Sequence, residues 1–174
     1  ENPEEFIIQA AKLINNEKAT AIIQHITYDV LDDRYDTDLF TDATIKGKLD
    51  VNAMKVDKHL FDHIVYDSTN ERKFAKELDV ATDVAVYVKL PDGFYISTPV
   101  GHYNPDWAIA FYEGKVKHIY FIAETKGSMS TLQLRGIEDA KIQCARKHFA
   151  ALSSDNIKYD VVDNYKSLME IVMK

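Results

Sequence analysis

The sequence has a single cysteine, no long apolar run and no excess of basic residues. Cys144 stands alone among 174 residues, so neither an internal disulfide nor a multi-cysteine zinc cluster can form, and a reducing, cytoplasmic setting is expected. The thiol itself reads as packing. The longest apolar stretches, such as Ile119 to Ala123, fall far short of the ~20 residues a membrane span needs. The opening Glu1-Asn2-Pro3-Glu4-Glu5 also lacks the basic start of a signal peptide, so no membrane partner is expected. The formal net charge of -7 argues against a surface that grips nucleic acid everywhere, because nonspecific affinity comes mainly from neutralised phosphates. A small local site remains open, since carboxylates gathered around a cation also make a chain acidic. Any DNA would then be delivered by something else.

The length fits one domain with an extended flank and can enclose a substantial apolar core. The opening reads as a helix: Asn2 as cap, Pro3 at the first helical position, Glu5 at the capping-box position, and Phe6, Ala10, Leu13 and Ile14 at helical spacing. So abrupt a start looks like an excised fragment. From Ala21 to Leu60 the pattern is mixed, with an acidic stretch from Asp29 to Asp42 that fits no element. Beyond Tyr66 it becomes regular. A helix is predicted from about Asn70 to Leu78, and Val84, Val86, Val88 and Leu90 alternate as in a strand. Pro91-Asp92-Gly93 turns the chain. After Tyr95 to Ser97 and an interruption at Pro99 and Gly101 come two strand-like segments, Asp106 to Tyr112 and His118 to Lys126, joined by a turn at Glu113-Gly114. A helix from about Gly136 to Leu152, a strand near Ile157 to Val162 and a helix near Tyr165 to Met173 complete the chain. This order implies an α/β sandwich with a central mixed sheet flanked by helices. Residues 1–66 form a flank of helix and mixed segment, and residues 67–174 form the core. In Tyr120 to Ala123 both faces are apolar, as in a central strand covered on both sides.

Charge enters that strand only at its end. Residues two apart on a strand share a side, so Glu124 and Lys126 project together. If the strand that Asp106 enters pairs antiparallel with it, Asp106 approaches both. Two carboxylates at one spot suit magnesium, a hard cation that takes oxygen ligands and keeps several waters. An adjacent ammonium completes what phosphodiester hydrolysis requires: an activated water and neutralised charge on the transition state. Lys126 would orient or help deprotonate the water, or stabilise charge. On the short pattern alone, a solvated strand face with a surface ion pair is the better reading.

The longer wording changes that balance. Pro105-Asp106 followed by Glu124-Thr125-Lys126 resembles the PD-(D/E)xK nuclease signature. Tyr103-Asn104-Pro105-Asp106-Trp107-Ala108, Glu124-Thr125-Lys126-Gly127-Ser128, Lys141-Ile142-Gln143-Cys144 and His148-Phe149 resemble the nuclease region of type III restriction enzyme Res subunits. Asp67-Ser68, Glu71, Phe74-Ala75, Val88-Lys89-Leu90-Pro91 and Thr98-Pro99 are similar to the same region, and Asn2-Pro3 with Phe6-Ile7 to the segment leading into it. The resemblance implies a restriction-endonuclease-like fold and a magnesium-dependent endonuclease acting on double-stranded DNA. It also implies a helicase-like, ATP-driven motor elsewhere in the full-length protein and a partner methyltransferase (Mod) subunit that reads the DNA sequence. No Walker-type glycine loop is present to cradle ATP phosphates, so neither ATP hydrolysis nor recognition is expected here.

Secondary candidates carry plain alternatives. Glu71 is read as a further metal-site carboxylate, because the superfamily places a helix glutamate before the core strands. It shares a face with Phe74, Ala75 and Leu78. Its alternative is the capping box Ser68-x-x-Glu71, where glutamate merely satisfies a backbone amide. Lys141 and Gln143 lie on the helix after the catalytic strands, where the superfamily often sets a polar residue. Consecutive helix positions are about 100° apart, so one of them faces the site, and Lys141 is preferred over Gln143. Glu138 reads as an ordinary helix-surface charge, Pro91-Asp92 as a turn, and His59 and His63, four apart on a predicted helix, as packed or solvated histidines without a third ligand. Trp107, Phe111, Tyr120 and Phe121 read as core. Two other readings stand beside the nuclease: a noncatalytic docking module that keeps the fold, and a PD-(D/E)xK nuclease of DNA repair or recombination.

Overall fold

The computed structural model describes residues 2–29, 37–40, 47–49, 51–116, 120–125, 132–152 and 157–174. The acidic stretch from Asp29 to Asp42 therefore lies largely outside the described residues, as do Lys126, Gly127 and Ser128. Four helices and eight strands are described: α1 (Pro3–His25), β1 (Ala53–Lys55), β2 (His63–Val65), α2 (Thr69–Val80), β3 (Val84–Lys89), β4 (Ile96–Thr98), β5 (Gly101–Tyr103), β6 (Trp107–Phe111), β7 (Tyr120–Thr125), α3 (Leu132–Leu152), β8 (Ile157–Val162) and α4 (Tyr165–Val172). A single 3-10 turn spans Thr37–Phe40. None of the described helices is long and apolar enough to cross a membrane.

The centre is a mixed sheet in the order β3-β6-β7-β8. Strands β3, β6 and β7 pair antiparallel, whereas β7 and β8 pair parallel with Glu124 opposite Val161. A parallel neighbour requires a crossover connection, and α3 is that crossover. The pairs β1-β2 and β4-β5 form separate two-stranded ribbons. With its helices, this is the expected α/β restriction-endonuclease-like arrangement.

The two sheet faces differ. Along β6, Trp107, Ile109 and Phe111 are buried while Ala108 and Ala110 are half-buried, the period-two pattern of one fully covered face. That face meets Phe74, Ala75 and Leu78 of α2 and Leu168 and Val172 of α4. Trp107 is 0% exposed and takes Phe74 edge-on at 5.5 Å, so the residue beside Asp106 is fixed by the densest part of the core. On the opposite face Ala145 and Phe149 of α3 pack with Tyr159, Ile96 and Tyr103. This layer reaches Ile122 but leaves Tyr120 at 52% and Val86 at 40% exposure. The expectation that β7 is covered on both sides thus holds at its C-terminal half only, because the α3 layer lies chiefly over β8 and reaches β7 at Ile122. Trp107, Phe111 and Phe121 are core as expected, and Tyr120 is not.

Helix α1 is longer than its first apolar repeat suggests, and Phe6, Leu13 and Ile14 at the expected helical spacing are exposed. Its buried contacts come later, where Ile23 packs with Ala140 and Cys144 of α3. Lys147 of α3 donates to the carbonyls of Ile23, Gln24 and Ile26 at 2.6, 2.9 and 3.3 Å, satisfying acceptors that a helix end leaves unpaired. Asn2 caps the start by accepting from Glu4 N, and the Glu5 carboxylate accepts from Gln9 rather than closing a capping box. Helix α3 begins four residues before the expected Gly136. His63 lies on strand β2, not on a helix, since residues 63–65 pair with 53–55.

Candidate active site

Asp106 sits one residue before β6, and Glu124 is the penultimate residue of β7. Antiparallel pairing sets Trp107 opposite Ala123, which brings the entrance of one strand beside the exit of the other. The inferred meeting of Asp106 and Glu124 follows directly from that register. The Asp106 carbonyl also accepts from Leu90 N at 2.8 Å, extending the β3 ladder and holding the backbone at this corner.

Among the described residues each carboxylate is held through one oxygen. Asp106 Oδ2 accepts from Thr125 N at 2.7 Å and from the Thr125 hydroxyl. Trp107 Nε1, a donor only, reaches Thr125 Oγ1 at 3.4 Å, so the hydroxyl proton is directed to Asp106. Glu124 Oε2 accepts from the Tyr103 hydroxyl at 2.7 Å. Burial pushes the Glu124 carboxyl up to about 8, and the neighbouring Asp106 charge adds to the rise against the pull of the Tyr103 bond. More distant charges on Glu138 and Glu71 act in the same direction as Asp106. Asp106 is likewise raised, chiefly by burial; its two Thr125 bonds and Lys89 oppose the rise and Glu71 adds to it. Among the described residues only Lys89 opposes the rise with positive charge, and it does not offset the burial of the two carboxyls.

Glu71 lies within electrostatic reach of both carboxylates, and its own contacts are with the start of α2 and with Lys89. Its backbone N–H donates to the Ser68 hydroxyl at 3.1 Å, the cap of α2. Its carboxylate does not return the bond to Ser68; Oε2 accepts from Asp67 N at 3.1 Å and from Lys89 Nζ at 2.6 Å. Lys89 also binds Asp67 Oδ2 at 2.6 Å. Burial pulls the Lys89 ammonium down, but Asp67 and Glu71 outweigh it and leave its pKa above the ordinary lysine value. Among the described residues no three of histidine, cysteine, aspartate and glutamate stand together as a ready metal cluster. The donor set still suits magnesium, which is usually held by one or two carboxylates and keeps several waters. The Asp106–Glu124 pair is such a set, with Glu71 occupied by Lys89.

The remaining candidates divide. Lys126 lies outside the described residues. Lys141 is half-buried on α3 and forms no ion pair with a described residue, and Gln143 is exposed. Glu138, read from sequence as a plain surface charge, is half-buried and acts on Glu124. Pro91-Asp92 is a turn, closed by Phe94 N to Pro91 O at 2.9 Å and by Asn104 on the Asp92 carbonyl at 2.6 Å. His59 is buried, with Nε2 accepting from Lys89 N at 3.1 Å, and burial lowers its pKa. It is a packed histidine that helps hold Lys89. Sequence reasoning passed over Lys89 and Tyr103 as site residues. Lys89 ends an alternating strand and stands in one of the stretches that resemble the Res nuclease region, neither of which gives it a role, and nothing in the spacing of Tyr103 pointed to Glu124.

A strand-end carboxylate pair on a mixed sheet of this kind fits the restriction-endonuclease-like domain that the sequence resembles. The family model described as an endonuclease domain matches residues 57–165, and the chain belongs to that family. It is similar to the Res subunit of the Escherichia coli type III restriction-modification enzyme EcoP15I, with 33% identity over 111 residues, covering 62% of this chain and 11% of that protein. The Res subunit of the EcoPI enzyme of Escherichia phage P1 is 32% identical over 107 residues, covering 60% of this chain and 11% of that protein. The matched region is thus about a tenth of the length of these curated relatives. No solved structure matches the chain.

Proposed function

We propose that this endonuclease domain hydrolyses phosphodiester bonds of double-stranded DNA with magnesium, as the cutting part of a type III restriction enzyme. The observation that carries the reading is the pair of half-buried carboxylates, Asp106 and Glu124, both raised in pKa and each tied by a hydroxyl donor. Such a pair gains most from a divalent cation, whose charge offsets the burial penalty and the lesser repulsion that keep the protons on. When bound, magnesium supplies Lewis-acid charge at the scissile phosphate and activates water.

Asp106 and Glu124 would hold the ion, with Thr125 and Tyr103 each fixing one oxygen of the pair. Glu71, its carboxylate taken by Lys89 in this arrangement, would be a further ligand. Lys126, the next residue after Thr125 in the sequence, orients the attacking water or stabilises charge on the phosphorus oxygens. Lys141 contributes a cation from α3 toward the DNA phosphate. With a net charge of -7, the domain gains little from nonspecific phosphate contacts, so the duplex is brought to it by other parts of the enzyme. Those parts are a helicase-like, ATP-driven motor in the same protein and a sequence-reading methyltransferase (Mod) subunit, working together in the cytoplasm.

Cleavage of plasmid DNA by the assembled enzyme in magnesium provides the test. Asp106→Ala, Glu124→Ala and Lys126→Ala are each expected to abolish cutting while the complex still binds DNA. Unchanged cutting by Asp106→Ala and Lys126→Ala would instead mark the domain as a noncatalytic docking module.

A further inference from the structure

The hydroxyl that holds Glu124 is itself held. Tyr103, the last residue of β5, lies 2.7 Å from Glu124 Oε2 and 2.5 Å from the hydroxyl of Tyr159 on β8. A phenol has one proton to give. An ionised Glu124 can only accept, so Tyr103 donates to it and receives the Tyr159 proton in turn. With Glu124 ionised, as a metal ligand must be, the chain therefore runs one way, from Tyr159 through Tyr103 to Glu124. Its base is rigid: Tyr159 stacks on Phe149 of α3 with ring centroids 5.2 Å apart, and Tyr103 meets Tyr159 edge-on at 6.3 Å. Tyr103 and Tyr159 are 2% and 5% exposed and pack with Ala145 and Phe149 on the α3 side of the sheet. Among the described residues Glu124 Oε1 takes no hydrogen bond, so the relay fixes the carboxylate through Oε2 and leaves its other oxygen for a ligand.

We propose that Tyr103 is a positioning residue that aims Glu124 Oε1 at the catalytic cation, with Tyr159 directing the Tyr103 proton. The inference rests on the metal-dependent nuclease reading and adds to it the residues that preset the ligand. If Tyr103 acts by position, its removal weakens binding, in the range of about ten- to a hundredfold found when partners of metal ligands are lost. Losing the Tyr103 bond also strengthens the proton's hold on Glu124, so a role through charge alone weakens binding too. The two roles differ in Tyr159→Phe, which keeps the Tyr103 donor and leaves a charge-only role intact.

Manganese binding to the 174-residue chain, followed by electron paramagnetic resonance at constant pH, decides between them. Tyr103→Phe is expected to lower manganese affinity at least about tenfold. Tyr159→Phe, which leaves the Tyr103 donor in place but free to turn, is expected to lower it by less. In cleavage by the assembled enzyme, the magnesium concentration for half-maximal rate should rise in Tyr103→Phe more than the rate at saturating magnesium falls. Unchanged or tighter manganese binding in a folded Tyr103→Phe overturns the proposal. Whether or not that variant folds, unchanged binding in Tyr159→Phe does so too. Glu124→Gln separates the two levels: if it binds manganese as tightly as the native chain, the metal-site reading itself fails. If it loses binding while either phenylalanine variant keeps it, only the positioning role fails.

Discussion

A carboxyl whose folded pKa stands near 8 makes the metal-free domain lose stability as pH rises. Between the ordinary glutamate value of 4.5 and about 8, the native state keeps a proton on Glu124 that the unfolded chain has released. This contribution is therefore fully present below the lower value and is lost as pH climbs through the upper one. Each pH unit inside the window costs about 1.4 kcal/mol, so moving from pH 5 to pH 8 removes about 4 kcal/mol. For a chain of this size that corresponds to a fall in Tm of about 8–16 °C. Asp106, raised by burial as well, adds in the same direction. Glu124→Gln should abolish most of this slope, because the amide is neutral at every pH and its oxygen still accepts from Tyr103. In EDTA the variant is expected to match the native protein near pH 5 and to exceed it near pH 8, measured by urea denaturation at both values. Magnesium should then restore native stability at pH 8 and leave the variant unchanged. Parallel stability curves for the two proteins would refute the reasoning, since Glu124 would then carry no burial penalty for the cation to relieve.

Three further substitutions probe the surroundings. Lys89→Met leaves the Glu71 carboxylate, whose side chain is 14% exposed, without its cation; a loss of about 3–5 kcal/mol in EDTA is expected, partly recovered in magnesium as Glu71 turns to the ion, and a loss below about 1 kcal/mol would contradict the buried pair. Thr125→Val keeps the backbone N–H on Asp106 but removes the hydroxyl that both Asp106 and Trp107 use. Denaturation should register about 1–3 kcal/mol, and cleavage at saturating magnesium should fall well beyond what the unfolded fraction explains. Arg146→Ala breaks the pair with Asp160, in which Arg146 is 51% and Asp160 29% exposed; less than about 1 kcal/mol and no change in cleavage are expected.

The regular half of the chain was legible because each element shows its own period. Val84 to Lys89, Trp107 to Phe111 and Ile157 to Val162 lie in or near the predicted strands, and Thr69 to Val80 extends the predicted helix by a residue or two at each end. The ribbons β1-β2 and β4-β5 were harder to read, since three-residue strands are too short for alternation to separate from chance, and His59 and His63 mimicked helical spacing across a turn and a strand. In the site, antiparallel pairing of consecutive strands was enough to bring Asp106 to Glu124. Tyr103, Tyr159 and Lys89 reach their carboxylates across 21, 35 and 18 residues, Tyr159 only through Tyr103. Such contacts depend on the register of β5, β8 and α2 against the sheet, which no local pattern encodes. Glu71 shows the same limit: Ser68-x-x-Glu71 foretold the cap correctly, yet the carboxylate goes to Lys89, a partner set by tertiary packing.

The central claim is that Asp106 and Glu124 hold the ion that cuts DNA. Anomalous diffraction from crystals of this chain soaked in manganese locates the ion directly. The expected result is a peak between the Asp106 and Glu124 carboxylates that disappears in Asp106→Asn. A peak elsewhere on the domain, or none at a concentration that supports cleavage by the assembled enzyme, would contradict the account.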